Sequence, residues 1–277
     1  MFALLKCKKI VDNERHGLGK VYGIKTYIHE FNWYTDDIFS LLIHSPEICK
    51  NAHPGQFVMI RDQKWNFEPL FSRPMSIARV DPKSNIFELQ ILVAGKGTSL
   101  LSKIRKGETV QVLGPLGNNF TFPEKKSKVA LLAGGIGVAP LIFFADSLTQ
   151  KNIAFEFFYG AATKAALIPQ NFLPNKVHFS TDDGSFGFKG FVTENFQSQQ
   201  KAVQFDKIYA CGPNLMLNEV KNIALNNKVD CELSIETIMA CGIGICQGCV
   251  VQKNTKEHAY FLTCVDGPVF KAKDINL

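Results

Sequence analysis

The 277-residue sequence predicts a small antiparallel β-barrel, then an α/β domain on a parallel sheet, then a short cysteine-rich module. Three observations carry that expectation. The first part of the chain is a series of short apolar or alternating runs broken by Gly, Pro, Asn and Asp, the pattern of a small barrel. From Val129 the runs become continuously apolar and are followed by a glycine turn and a helical stretch, as in sheets buried on both faces. Near the end, Cys241, Cys246, Cys249 and Cys264 stand at the spacing C-x4-C-x2-C-x14-C. The expected divisions are residues 1–122, 123–230 and 231–277.

In the first division the strands are Ile38 to Ile43, Gln56 to Ile60, Ile86 to Val93 and Thr109 to Leu113, with punctuation such as Pro54-Gly55 and Asp81-Pro82 between them. Gln63 to Pro69, carrying Trp65 and Phe67, is expected to be a loop inserted between barrel strands. Two stretches have phosphate-binding chemistry. Arg73-Pro74-Met75-Ser76 sets a guanidinium and a hydroxyl beside a stiff proline, and Arg suits bidentate phosphate contact. Gly95-Lys96-Gly97-Thr98 opens an expected helix from Ser99 to Ile104, whose free N–H groups favour an anion. Each alone is equally an ordinary turn or a strand-to-helix connection.

In the second division, Val129 to Ala133 is a buried strand running into Gly134-Gly135-Ile136-Gly137-Val138-Ala139-Pro140, with a helix expected from Leu141 to about Leu148. Strand, glycine turn and helix is where a dinucleotide diphosphate sits; a tight turn without ligand is the alternative. Further strands are Ile153 to Gly160, Val177 to Thr181 and Lys207 to Cys211, and Asn214 to Asn226 is a helix. Asp182 and Asp183 follow one strand, where a carboxylate bonds a ribose diol and repels a 2′-phosphate, favouring NAD over NADP. An Asp-Gly turn explains the same residues. Cys211 ends a strand at the ligand-binding edge of such a sheet, although a lone Cys is by default a small buried hydrophobe, the reading given to Cys7, Cys49 and Cys231.

Composition excludes several classes. With 46% hydrophobic and 20% charged residues the chain is globular, and its net charge of +6 is scattered in short groups such as Lys125-Lys126-Ser127-Lys128, with no basic stripe for nucleic acid. The apolar Met1 to Leu5 is too short for a signal peptide. The longest uncharged run, Val129 to Ala145, is interrupted by Gly134-Gly135, Gly137 and Pro140, which argues against a membrane span. A cytoplasmic protein is expected, where cysteines mean metal or catalysis more than disulfides. No Walker lysine loop or G-x-S-x-G elbow is present.

The cysteine spacing is the plant-type one for a [2Fe–2S] cluster. Gly242, Gly244 and Gly248 allow the loop to curl and its N–H groups to approach sulfur. A closed zinc site competes, but zinc ligands usually arrive as two C-x2-C pairs and the second pair is missing.

Taken in order, Arg73-Pro74-Met75-Ser76, Gly95-Lys96-Gly97-Thr98, Leu113-Gly114-Pro115-Leu116-Gly117, Gly134 to Pro140, Cys211-Gly212-Pro213, Met239 to Cys249 and Cys264-Val265-Asp266-Gly267-Pro268-Val269-Phe270 closely resemble the electron-transfer subunits of NAD-dependent, class 1B dihydroorotate dehydrogenases, within the ferredoxin–NADP reductase superfamily. The resemblance spans nearly the whole chain. It implies an FAD-binding barrel, an NAD-binding α/β domain and a [2Fe–2S] module. It implies further that Arg73, Pro74, Met75, Ser76, Gln90, Ile91 and Leu92 line FAD, that Gly97 and Thr98 hold its pyrophosphate, and that the four cysteines ligate the cluster. Met75 stands where many relatives have Tyr; a thioether lies well against a flavin ring but lacks the hydroxyl. From their places at the strand ends, Gly134, Gly135, Gly137 and Asp183 are the candidates to face NAD, and Cys211 is the catalytic candidate beside flavin and nicotinamide. The implied role is passage of electrons from NADH through FAD and the cluster to a separate FMN-bearing catalytic subunit, in a heterotetramer of two of each, for pyrimidine synthesis. The alternative is a reductase of the same build serving a ferredoxin, hydrogenase or sulfur-metabolising partner; a zinc-bound interaction module or redox sensor is the non-enzymatic one.

Overall fold

The structure is a computed structural model that describes residues 8–11, 20–200, 204–255 and 259–277. Cys7 lies outside them. The first sheet is built from β1 (Lys8–Val11), β2 (Val21–Trp33), β3 (Ile38–His44), β4 (Phe57–Asp62), β5 (Arg73–Asp81), β6 (Ile86–Leu92) and β7 (Thr109–Leu116), with short helices α1 (Pro46–Asn51) after β3 and α2 (Lys96–Leu101) after β6. Its order is β1-β2-β3-β6-β5-β4-β7, and pairing of β7 back onto β2 closes six strands into an antiparallel barrel. Closure removes the free edges that an open sheet would expose. Ile28, Phe39, Leu41, Ile60, Phe87, Leu89 and Ile91 fill the interior. Along β6, the alternate residues Glu88, Gln90 and Leu92 therefore face outward, toward the second domain.

The second sheet contains β8 (Val129–Gly134), β9 (Phe155–Ala161), β10 (Val177–Thr181), β11 (Phe188–Lys189), β12 (Lys207–Cys211), β13 (Asp230–Ser234) and, after the β14 (Val250–Gln252) and β15 (Tyr260–Leu262) hairpin, β16 (Val269–Lys271). The order is β11-β10-β9-β8-β12-β13-β16, parallel throughout except for β16 against β13. Helices α3 (Val138–Gln150), α4 (Val192–Gln200) and α5 (Asn214–Asn227) cover its faces. The continuous apolar run in β8 is explained by its two covered faces: Val129, Leu131 and Ala133 pack with α3, whereas Ala130 and Leu132 pack with α4 and α5.

Several elements differ from expectation. Helix α2 begins at Lys96 rather than Ser99, because Thr98 Oγ1 accepts from the N–H groups of Ala94 (3.0 Å) and Gly95 (3.2 Å) and folds the loop into the first turn. Helix α3 extends to 138–150, with Pro140 in its first turn where a missing N–H costs little. Strands β13 and β16 belong to the parallel sheet, so that sheet crosses the boundary expected between residues 230 and 231. No helix among the described residues is long and apolar enough to cross a membrane.

Candidate functional site

Parallel register gathers the strand C-termini on one edge. Gly134 stands opposite Gly160, Thr181 opposite Ala161, and Cys211 opposite both Ala133 and Ser234. Ligands of open α/β sheets bind outside this edge. Here the barrel faces it across a cleft of about 870 Å3, part of it open solvent, lined on the barrel side by Phe57, Pro74, Met75, Ser76, Gln90 and Leu92. The opposite wall includes Ile136 and Ala139 from the glycine turn and α3, and Ser234 to Thr237 and Met239 after β13.

Five of the barrel residues expected around a flavin thus line one cleft. Ile91 points instead into the barrel interior and is fully buried there, leaving only its backbone to the ligand side. Arg73 meets α2: a Cβ added at Gly97 would fall 2.2 Å from Arg73 Nε. The absent side chain at 97 therefore lets the guanidinium lie over the first turn of α2. Among the described residues, the only side-chain hydrogen bond of Arg73 is a 3.5 Å one to Ser72 O, so its guanidinium donors remain available to an anion. Thr98, by contrast, spends its hydroxyl on the loop and has its backbone to offer.

The glycine turn is shaped by packing. A Cβ at Gly137 would stand 2.4 Å from Cys211 O, and one at Gly134 would stand 2.5 Å from Met216 Sδ, whereas Gly135 opens onto empty space. Asp183 Oδ1 accepts from Ser185 N (2.9 Å) and Ser185 Oγ (2.6 Å); those bonds hold its carboxyl below the usual range. The Asp-Gly turn is real, and one carboxylate oxygen is left for a ligand. Cys211 is buried beside the cleft without lining it, and burial pushes its thiol well above the ordinary value. Sequence reasoning missed Glu236 and Thr237. Crowding in the cleft wall desolvates the Glu236 carboxyl and raises it although the residue as a whole is exposed, and Thr237 Oγ1 and Gln90 Oε1 are buried with no partner among the described residues. A sequence pattern to mark them is lacking; only the fold, by running β13 into the cleft, brings them there.

The cysteine loop closes next to this wall. Gly242 (φ +73°) and Gly244 (φ +81°) take left-handed backbone, and a Cβ at either would meet Met59 or Val265 within 2.7 Å. The loop turns its amides onto sulfur: Ile243 N (3.5 Å) and Cys246 N (3.4 Å) donate to Cys241 Sγ, Gly244 N to Cys264 Sγ (3.2 Å), and Cys264 N to Cys249 Sγ (3.4 Å). Burial acts to raise the Cys241 thiol, but the amides of Cys246 and Ile243 outweigh it and bring it to about 7. Cys241 sits with Cys246 and Cys249 with Cys264, while among the described residues no three ligand side chains converge on a single ion. Cys249 and Cys264 are buried against Phe57 and Met239, which line the cleft on their other side.

Comparison with solved structures gives the class. A chain of the NADH-dependent reduced ferredoxin–NADP oxidoreductase, described in connection with flavin-based electron bifurcation, superposes with TM-score 0.82 at 32% identity, over 91% of this chain and 89% of that one. A ferredoxin–NADP+ reductase from Neisseria gonorrhoeae with bound FAD and NADP shares the fold at TM-score 0.62 and 17% identity, over 74% of this chain and 91% of that one. The molecule is an oxidoreductase subunit of ferredoxin-reductase type.

Residues 236–276 match the family described as the iron–sulfur cluster binding domain of dihydroorotate dehydrogenase B. The dihydroorotate dehydrogenase B (NAD(+)) electron transfer subunit of Desulforamulus reducens is 37% identical over 230 residues, 82% of this chain and 87% of that protein. Its counterpart in Bacillus caldolyticus is 39% identical over 243 residues, 86% and 93% of the two chains. The chain belongs to this family of electron transfer subunits of pyrimidine biosynthesis.

Proposed function

We propose that the cleft takes FAD, that the four cysteines hold a [2Fe–2S] cluster, and that NADH docks along the Gly134–Gly137 edge. The observation that carries this reading is the shared wall: Phe57 and Met239 line the cleft and also pack against Cys249 and Cys264. When bound, FAD would accept a hydride from NADH and release electrons singly to the cluster. This chain's residues do the rest. Arg73 and the first turn of α2 supply the positive field for a pyrophosphate, with Gly97 leaving room for the guanidinium. Pro74, Met75 and Ser76 form one wall against the ring, and Gln90 and Leu92 continue it. The C-x4-C-x2-C spacing of the loop favours two irons over one zinc, and the amides directed at sulfur stabilise thiolate charge. Asp183 keeps a carboxylate oxygen for a ribose diol, favouring NAD over NADP.

The relatives' description as electron transfer subunits supports a separate dihydroorotate-oxidising catalytic subunit, FMN-bearing, in a heterotetramer of two of each, located in the cytoplasm. The functional divisions are 1–122 for FAD, 123–230 for NAD and 231–277 for the cluster, the last sharing its sheet with the second. A second reading, an NAD(P)H-dependent reductase subunit serving a ferredoxin, hydrogenase or sulfur-metabolising partner, is favoured by the likeness to the ferredoxin–NADP oxidoreductase chain.

The test is anaerobic purification with iron, sulfide and flavin analysis, followed by NADH oxidation coupled to a dihydroorotate dehydrogenase catalytic subunit. Two irons and one FAD per chain are expected, with NADH preferred to NADPH and onward transfer lost in Cys246→Ser. Iron-free folded protein, or unimpaired transfer in Cys246→Ser, would overturn the reading. Transfer to a ferredoxin but not to the dehydrogenase partner would select the second one.

A further inference from the structure

The outward face of the barrel carries a buried polar group that the electron path does not use. Glu88, on β6, accepts from Tyr34 Oη (2.7 Å) and from Gln90 Nε2 (3.0 Å) through the same oxygen, while Arg79 Nη1 stands 3.9 Å from its other oxygen. Arg79 also reaches the second domain, with Nε 2.9 Å from Asp146 Oδ2 on α3 and Nη2 donating to Phe172 O (2.8 Å). The Tyr34 ring lies 4.2 Å from that of Phe172. Glu88 thus links a clamp between the two domains to a residue of the cleft wall.

The chemistry of the three groups fixes the direction of each bond. A carboxylate only accepts, so the amide end of Gln90 that meets Glu88 must be its NH2. Burial and the Glu88 charge both raise the Tyr34 hydroxyl above its ordinary value, so it stays a donor. Gln90 cannot flip without setting its carbonyl against the carboxylate. Its Oε1 is consequently held as an acceptor, buried with no partner among the described residues. Ser40 stands opposite Gln90 across the β3–β6 ladder, its side chain buried on the same face.

We infer that Glu88 is a positioning residue for the flavin: it locks the Gln90 amide with its carbonyl free for a ring N–H of the bound cofactor, and it anchors that amide to the interdomain clamp. The inference rests on the FAD reading above. It assigns to Glu88, which does not line the cleft, an effect on flavin affinity and potential exerted through Gln90.

A double-substitution cycle tests it. FAD is titrated into the flavin-stripped full-length chain, and flavin midpoint potentials are measured on the reloaded proteins, for the parent, Glu88→Gln, Gln90→Met and the pair. Glu88→Gln removes the fixed acceptor and lets the amide turn. A loss of FAD affinity of about tenfold, the scale of one charge-assisted hydrogen bond, and a shifted potential are expected for it. In the Gln90→Met background the same substitution should change neither. Unchanged affinity and potential in Glu88→Gln, or losses that multiply in the pair, would overturn the inference. If Glu88→Gln does not fold, Glu88→Asp, which withdraws the charge by one methylene, takes its place in the cycle. A parent chain that takes up no FAD would instead refute the cofactor reading and the inference with it, an outcome visible without any substitution.

Discussion

At the scale of single residues, the sites that could be read from the sequence are those whose chemistry is local. Three cysteines within nine positions and glycines between them state a cluster loop with no help from the rest of the fold. Arg73 and Gly97 are each ordinary alone; they meet because the β5–β6 hairpin and α2 bring the guanidinium onto a position without a Cβ. Glu236 and Thr237 were illegible, since nothing in their own neighbourhood distinguishes them from a loop. Cys211 illustrates the reverse. Its place at a strand end was legible, but its burial was not, and burial holds it as a neutral thiol. The buried thiols have a consequence for alkaline stability. Desolvation raises Cys49 from 9.0 to about 12, and it raises Cys211 and Cys231 further. The unfolded chain then releases these protons near pH 9 while the folded chain keeps them. The stability they contribute is complete below pH 9 and is lost as pH rises toward the folded values. The expected slope is on the order of 1 kcal/mol per pH unit for each thiol. Urea unfolding between pH 8.5 and 11 should show this decline, and Cys49→Ala should be flatter by about one thiol's share. A Cys49→Ala curve parallel to the parent's would contradict the assignment.

At the scale of elements, the strongest periodicities were readable and the pairings were not. β8 and, after Lys207, β12 announce themselves as apolar runs, but β5 hides behind Pro74 and the polar Arg73, Ser76, Arg79 and Asp81. β13 and β16 are short and pair across the whole cysteine module, a contact no local pattern records. That pairing makes the C-terminal segment part of the second domain's core. Phe270 is buried in the α5 side of the sheet, its ring 5.2 Å from that of Phe261, and Asn118 bonds both Val269 N (2.9 Å) and Val269 O (2.7 Å). Phe270→Ala should therefore cost about 3 kcal/mol in global unfolding, as a core Phe does. A change below about 1 kcal/mol would mean that β16 is dispensable to the sheet. The glycine turn gives a second test. Gly137 already has right-handed backbone (φ −60°), so alanine there brings no backbone strain, only a clash with the Cys211 carbonyl. Gly137→Ala should cost about 2 kcal/mol by overpacking, whereas Gly107→Ala, which meets no neighbour, should show only the strain of its positive φ. Equal melting of Gly137→Ala and the parent would show that the β12 turn yields.

At the scale of the whole molecule, the cleft belongs to no single part. The barrel supplies Ser76 and Gln90, the α/β domain Ile136 and Ala139, and the C-terminal segment Thr237 and Met239. A ligand bound there touches all three and acts on their joint stability. The clamp of Arg79 on Asp146 and Phe172, the Tyr34–Phe172 ring contact and the Asn118 bonds to β16 tie the same three parts together without it. Calorimetry should accordingly show one transition for the full chain, not a barrel melting apart from the parallel sheet. FAD at about 100 times its Kd should stabilise the folded state by about 2.7 kcal/mol. For a chain of this size that is an upward shift in Tm of roughly 5 °C. The shift should apply to the entire transition, because the folded cleft exists only when all three parts are assembled. Two resolved transitions, with FAD moving only the one assigned to the barrel, would mean that the opposite wall contributes no binding energy and that the flavin is held by Arg73 to Ser76 and α2 alone.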